Sequence, residues 1–102
     1  GYAPWSEGLG IVLERLADEL PGRPLLVCEH GVGTEQDEWR RDILRESLDI
    51  VEHTSADVRG FFHWTGVDNY EWNHGFDVQF GCFTRDREPR GSAELLATYA
   101  RD

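Results

Sequence analysis

The chain has 102 residues, of which 39% are hydrophobic, and 20 acidic residues against 10 basic ones give it a formal net charge of -10 at pH 7. This hydrophobic content is typical of a folded chain rather than a disordered one, and the length admits one domain but not two. No basic patch offsets the acidic balance, so we expect neither a nucleic acid nor a membrane as a partner.

The residue types that often bind metals or phosphates show no binding motif in this sequence. Cys28 and Cys82 are too few for a disulfide framework and lie outside CxxC and zinc-ligand spacings, and the four histidines form no metal-binding pattern. Gly31 and Gly33 form a lone GxG, which more often lets the chain turn than binds phosphate. We therefore expect no metal and no cofactor.

The beginning of the chain gives a further expectation. Methionine is absent and the first residue is Gly1, so we expect the chain to start inside a longer reading frame. Neither a signal peptide nor an apolar run of about 18 residues is visible, and the predicted localisation is cytoplasmic.

The first half of the chain predicts a helix followed by a strand. Apolar residues at helical spacing predict a helix from Gly8 to Leu20, which ends at Pro21-Gly22. The short apolar run from Pro24 to Cys28 is typical of a parallel strand buried on both faces, and it stops at Glu29.

The second half predicts a helix, a strand and a further helix. Thr34 followed by Asp37 resembles a capping box with Asp in place of Glu, and the helix that it opens ends near His53. An aromatic-rich strand is predicted from Val58 to Trp64, and after a long loop a third helix from Ser92 to Arg101.

This alternation predicts an α/β fold built from parallel βα units. The spacing of the two strands suits one unit of a (β/α)8 TIM barrel, which needs about 250 residues for its eight units. Two strands cannot close a barrel. Residues 1–102 are therefore predicted to be a piece of one domain.

Four residues near the strand ends could carry chemistry. Glu29 follows an apolar strand, where barrel enzymes place catalytic groups, although a solvated strand-end carboxylate is the alternative. Trp64 ends the second strand, and the loop after it contains Glu71 and Trp72. Aromatic faces stack on sugar C–H groups and carboxylates accept hydrogen bonds from hydroxyls, but tryptophans of an ordinary core would give the same pattern.

Two segments, Pro24 to Gly31 and Arg59 to Trp72, together resemble family 1 glycoside hydrolases. Phe76, the Phe80-Gly81 pair and the segment from Arg90 to Ala93 match the closing stretch of that family. The resemblance covers nearly the whole chain in order. Because spacing and order agree, it is much more specific than any one motif.

Three features depart from the family pattern. His30 stands where the family usually has Asn, and Cys28 replaces a small hydroxyl residue. The connection from Glu52 to Asp57 is also a few residues shorter than usual and lacks the Gly normally found before the next strand.

The resemblance implies a (β/α)8 barrel with Leu25 to Cys28 as the seventh strand and Arg59 to Trp64 as the eighth. Glu29 would be the nucleophile of a retaining β-glycosidase of the β-glucosidase type, which forms a covalent glycosyl-enzyme intermediate while a second Glu acts as acid and base. That second Glu belongs to a motif that this chain lacks. The isolated chain is thus expected to be inactive and to need the remaining N-terminal part of the barrel.

The same resemblance assigns the sugar contacts of a β-glucoside or β-galactoside substrate. Trp64 would form the stacking platform, Glu71 would hold hydroxyls at the far edge of the ring, and Trp72 would donate its indole N–H to another hydroxyl. Phe80 would line the pocket near the exocyclic hydroxymethyl group. The alternative is a non-catalytic truncated module that binds sugar weakly or associates through open sheet edges.

Overall fold

The computed structural model describes residues 4–100, which form three helices and two strands in alternation. In chain order the elements are α1 (Glu7–Glu19), β1 (Leu25–His30), α2 (Asp37–His53), β2 (Val58–His63) and α3 (Gly91–Tyr99). All five predicted elements are confirmed, with ends shifted by one or two residues, and Arg101 of the third predicted helix lies outside the described residues. Within residues 4–100, every helix is too short or too polar to cross a membrane.

The two strands form a parallel pair. Leu25 lies opposite Val58 and His30 lies opposite His63, with α2 as the connection between the strands. Because parallel strands run in the same direction, β1 and β2 end at the same edge of the sheet. Glu29 is the penultimate residue of β1 and therefore lies at this edge.

Helices cover one face of this small sheet. Leu13 of α1, Val27 of β1 and Ala56 form the buried core, around which further apolar residues of both strands and of α1 and α2 pack. On the other face Leu26 is 59% exposed and Phe62 is 58% exposed. The interpretation of the first strand as buried on both faces is therefore wrong for the described chain, which covers only one face.

The start of α2 differs from the predicted capping box. The helix begins at Asp37, and its N-cap residue Gln36 makes no capping bond with its side chain. Thr34 accepts a hydrogen bond from the Gln36 amide at 3.0 Å rather than capping the helix. The Asp37 carboxylate instead accepts bonds from the amide (3.0 Å) and hydroxyl (2.7 Å) of Ser92. Asp37 thus joins the starts of α2 and α3, and the capping-box prediction is wrong.

Arg40 of α2 is only 1% exposed, and its guanidinium joins three parts of the chain. Nη1 donates to Asp37 Oδ1 at 2.7 Å, within the same helix. Nη2 donates to the carbonyl of Thr34, in the loop after β1, and to the carbonyl of Gln79 at 2.6 Å, in the long segment after β2. A buried charge is tolerated when it is paired and hydrogen-bonded in this way.

We expect Arg40→Met to lower the free energy of unfolding by roughly 3 kcal/mol or more, because it removes the buried ion pair with Asp37 and one hydrogen bond to each of the Thr34 and Gln79 carbonyls. Equilibrium urea denaturation of the full chain, followed by tryptophan fluorescence, measures the change. Arg45→Met is the matched control on the same helix, since the Arg45–Asp42 pair is exposed (44% and 65%) and is expected to contribute less than about 0.5 kcal/mol. Similar small losses for both variants would contradict this role for Arg40.

Candidate active site

A cleft of about 860 Å³ lies at the edge where both strands end. Its walls come from the end of β1, the loops after β1 and β2, the segment that precedes α1, and Ile43 of α2. All five residues singled out from the sequence line it: Glu29, Trp64, Glu71, Trp72 and Phe80. The structure thus brings Glu29 at the end of β1 together with four residues of the long segment after β2.

Glu29 and Trp64 are held close together by the backbone. The Trp64 amide donates to the carbonyl of His30 at 3.0 Å, which continues the parallel pairing past the end of β2. A Cβ atom on Gly31 would overlap the carbonyl oxygen of Trp64. The missing side chain at Gly31 therefore allows the ends of the two strands to approach each other beside the Glu29 carboxylate.

This packing corrects the prediction for the two glycines after β1. Within residues 4–100, the glycines with positive φ angles are Gly22 and Gly75. A Cβ atom on Gly33 would collide with the side chains of Val78 and Phe80. Gly31 and Gly33 are thus needed for close approach of neighbouring segments, not for the turn that the sequence predicted.

Two histidines lie opposite each other in the sheet: His30, which lines the cleft, and His63. Nε2 of His30 shares a hydrogen bond of 2.7 Å with the Ser47 hydroxyl on α2. Nε2 of His63 donates to the Phe80 carbonyl at 3.1 Å. Burial lowers the pKa of His30 and of His63, which favours the neutral form of both rings. His30 therefore ties the end of β1 to α2, and His63 ties β2 to the loop that carries Phe80.

The loop after β2 presents Glu71 and Trp72 through a tight turn. The Glu71 amide donates to the Gly75 carbonyl at 2.8 Å, and the Gly75 amide donates back at 2.6 Å. Trp72 at the tip of this turn is 92% exposed. Glu71 Oε1 is buried and has no hydrogen-bond partner within residues 4–100. Glu71 as a residue lines the cleft, and its carboxylate is the type of group that accepts hydrogen bonds from hydroxyls.

Other cleft residues were not predicted from the sequence. Trp5, which is 64% exposed, reaches the cleft from the segment before α1, and Ile43 reaches it from α2. Both fit ordinary amphipathic or loop patterns, so no sequence signal marked them. In the described part of the chain, no group of three or more His, Cys, Asp or Glu side chains is placed to hold a metal ion.

Comparisons with known proteins agree with this arrangement. The family model of glycosyl hydrolase family 1 matches residues 2–100. A bifunctional β-D-glucosidase/β-D-fucosidase of Bifidobacterium breve is 39% identical over 92 residues, which cover 74% of this chain and 20% of the relative. A β-galactosidase of Sulfolobus acidocaldarius is 36% identical over 89 residues, which cover 84% of this chain and 18% of the relative. The chain spans about a fifth of the length of these relatives.

Solved structures show the same fold. A hyperthermophilic β-glucosidase mutant superposes with a TM-score of 0.86 at 34% identity over 95% of this chain and 23% of its own. A β-glycosidase from Pyrococcus horikoshii gives a TM-score of 0.83 at 33% identity over 100% of this chain and 29% of its own. These relatives are (β/α)8-barrel enzymes, and the α/β architecture described above is consistent with part of such a barrel. The chain belongs to glycosyl hydrolase family 1.

Proposed function

We propose that this chain supplies the seventh and eighth strands of a (β/α)8 barrel and the nucleophile Glu29 of a retaining β-glycosidase. The observation that carries the proposal is the cleft, in which Glu29 and the four predicted sugar contacts lie together at the carboxyl ends of the strands. Barrel enzymes build their active sites at this end. Relatives named as β-glucosidases and β-galactosidases support the same reaction.

In this reaction the Glu29 carboxylate attacks the anomeric carbon of a β-glycoside. An ester bond forms between Glu29 and the sugar while the glycosidic bond breaks and a second carboxylic acid protonates the leaving oxygen. The same second group then takes a proton from water, which attacks the anomeric carbon and releases the sugar with its configuration retained. The two carboxyl groups must lie about 5 to 5.5 Å apart for this mechanism.

The cleft suits a sugar ring bound at Glu29. The Trp64 indole offers a flat face for the apolar C–H groups of the ring, and the exposed indole of Trp72 offers an N–H donor. The Glu71 carboxylate, on the cleft wall, would accept a hydrogen bond from a sugar hydroxyl. Phe80 closes the wall near the exocyclic group. The proposed substrate is a β-glucoside or a β-galactoside.

The remaining N-terminal part of the barrel is the proposed partner. The motif that carries the acid/base Glu in this family is absent from these 102 residues. The exposed sheet face with Leu26 and Phe62 offers an apolar surface to the rest of a barrel. This part would bring the second carboxyl group to the cleft.

A non-catalytic module is the competing function. Each strand of the described sheet has one paired edge and one open edge, and open edges favour association with other chains. The upstream sequence distinguishes the two functions. A strand with an Asn-Glu-Pro type motif favours the enzyme, and a start codon just before Gly1 favours the module.

We expect the purified 102-residue chain to show no hydrolysis of an aryl β-glucoside in a chromogenic assay. It lacks the general acid, whose contribution is typically about 10²- to 10⁴-fold, and its sugar site is open on one side. Turnover by the chain that disappears in Glu29→Ala would contradict this expectation.

In the complete enzyme, we expect a 2-deoxy-2-fluoro β-glucoside to label Glu29 covalently, because such substrates trap the glycosyl-enzyme of a retaining enzyme. Peptide mass spectrometry identifies the labelled residue. Glu29→Gln should abolish the label, whereas Glu38→Gln, on the exposed first turn of α2, should leave it unchanged. An active enzyme labelled at another residue would make Glu29 structural, and an inactive, unlabelled enzyme would favour the non-catalytic module.

A further inference from the structure

Part of the long segment after β2 is held at both of its ends by one side chain, that of Arg90. Nη1 of Arg90 donates to Asp68 Oδ1 at 2.8 Å and to the Gly81 carbonyl at 2.7 Å. Nη2 donates to Asp68 Oδ2 at 2.7 Å and to Gln79 Oε1 at 2.9 Å. One guanidinium therefore holds both ends of the segment from Asp68 to Gly81, which we call the sugar loop.

Asp68 completes this closure. Its Oδ1 also accepts a hydrogen bond from the Gly81 amide at 2.8 Å, so the two ends of the sugar loop contact each other directly. Burial alone would raise the pKa of Asp68, but the hydrogen bonds from Arg90 and Gly81 outweigh it and lower the pKa. The Asp68 and Arg90 side chains are only 6% and 15% exposed, so water and salt screen this bidentate pair little.

The sugar loop carries Glu71, Trp72 and Phe80, which line the cleft. The C-terminal end of the sugar loop is also hydrogen-bonded to the loop after β1 and to α2. The Gln79 carbonyl accepts from the Thr34 amide at 2.9 Å and from the buried Arg40. Gln79 thus bonds to Arg90 through its side chain and to the loop after β1 through its backbone carbonyl.

We infer that Arg90 is a positioning residue that sets the place of the sugar-contacting side chains without touching the sugar. This inference rests on the proposed function. Arg90 is absent from the cleft wall, so it acts through Asp68 and Gln79. Its planar guanidinium donates to acceptors at both ends of the loop at once, whereas the ammonium of a lysine is a point charge without this fixed geometry. A displacement of about 1 Å in a sugar contact can cost roughly 10²-fold in rate.

The experiment measures steady-state kinetics of the complete enzyme on two substrates, an aryl β-glucoside and the aryl β-xyloside that lacks the exocyclic hydroxymethyl group. The variants are Arg90→Gln, Arg90→Lys and Gln79→Met, which removes only the carboxamide acceptor. Arg59→Gln is the matched control, because the Arg59–Asp57 pair is exposed (66% and 51%) and lies at the opposite end of β2.

For Arg90→Gln we expect kcat/KM on the β-glucoside to fall roughly 10²-fold. The fall on the β-xyloside should be smaller, because the contacts around the hydroxymethyl group are already missing there. Arg90→Lys should recover part of the loss, and Gln79→Met should lose only about tenfold. The Arg59→Gln control should match the unmodified enzyme. Combining Arg90→Gln with Glu71→Ala should cost less than the product of the two single losses, since both act on the same contact.

Equal falls in kcat/KM on both substrates would overturn the inference. So would a double variant whose loss equals the product of the two single losses. Either result would leave Arg90 a purely structural residue. Unchanged kinetics in Arg90→Gln would also overturn it. If Arg90→Gln does not fold, the test rests on Gln79→Met alone, through the ratio of its kcat/KM on the glucoside to its kcat/KM on the xyloside. Glu29→Ala separates the two proposals: full activity of that variant refutes the proposed function, whereas an inactive Glu29→Ala beside a normal Arg90→Gln refutes only the positioning role.

Discussion

The buried guanidinium of Arg40 is the interaction on which the arrangement of the site depends. A charge with 1% exposure requires partners, and Arg40 finds them on three segments: Asp37 in its own helix, the Thr34 carbonyl and the Gln79 carbonyl. The last two belong to the loops that follow β1 and β2. Because the donors of a guanidinium have fixed directions, these loops cannot shift independently, and the walls of the cleft keep one relative position.

Shape complementarity at the strand ends adds a second constraint. The backbone of Gly31 contacts the Trp64 carbonyl so closely that no side chain fits, and Gly33 packs in the same way against Val78 and Phe80. Charge pairing at Arg40 and close packing at these glycines act on the same two loops. The Glu29 carboxylate therefore lies on a rigid strand end, as precise binding sites require.

The distribution of apolar surface matches the membership of glycosyl hydrolase family 1. The helices cover one sheet face, while Leu26 and Phe62 on the other face stay more than half exposed. Sheets of parallel strands are normally covered on both faces, and a (β/α)8 barrel covers the inner face with its own packed interior. The chain spans about a fifth of the length of its relatives, and a sheet with one exposed face is consistent with part of a barrel.

Periodicity in the sequence was sufficient to predict all five elements, because the spacing of apolar residues is a local property. The resemblance to a family was sufficient to select five cleft residues, Glu29 among them. The tertiary structure alone decided which groups meet: Asp37 bonds to Ser92 rather than capping its helix, Arg40 bonds to the backbone carbonyls of Thr34 and Gln79, and Arg90 bonds to that of Gly81. A backbone carbonyl is the same at every residue and carries no sequence signature, so its partner in a distant segment becomes visible only once the chain is folded.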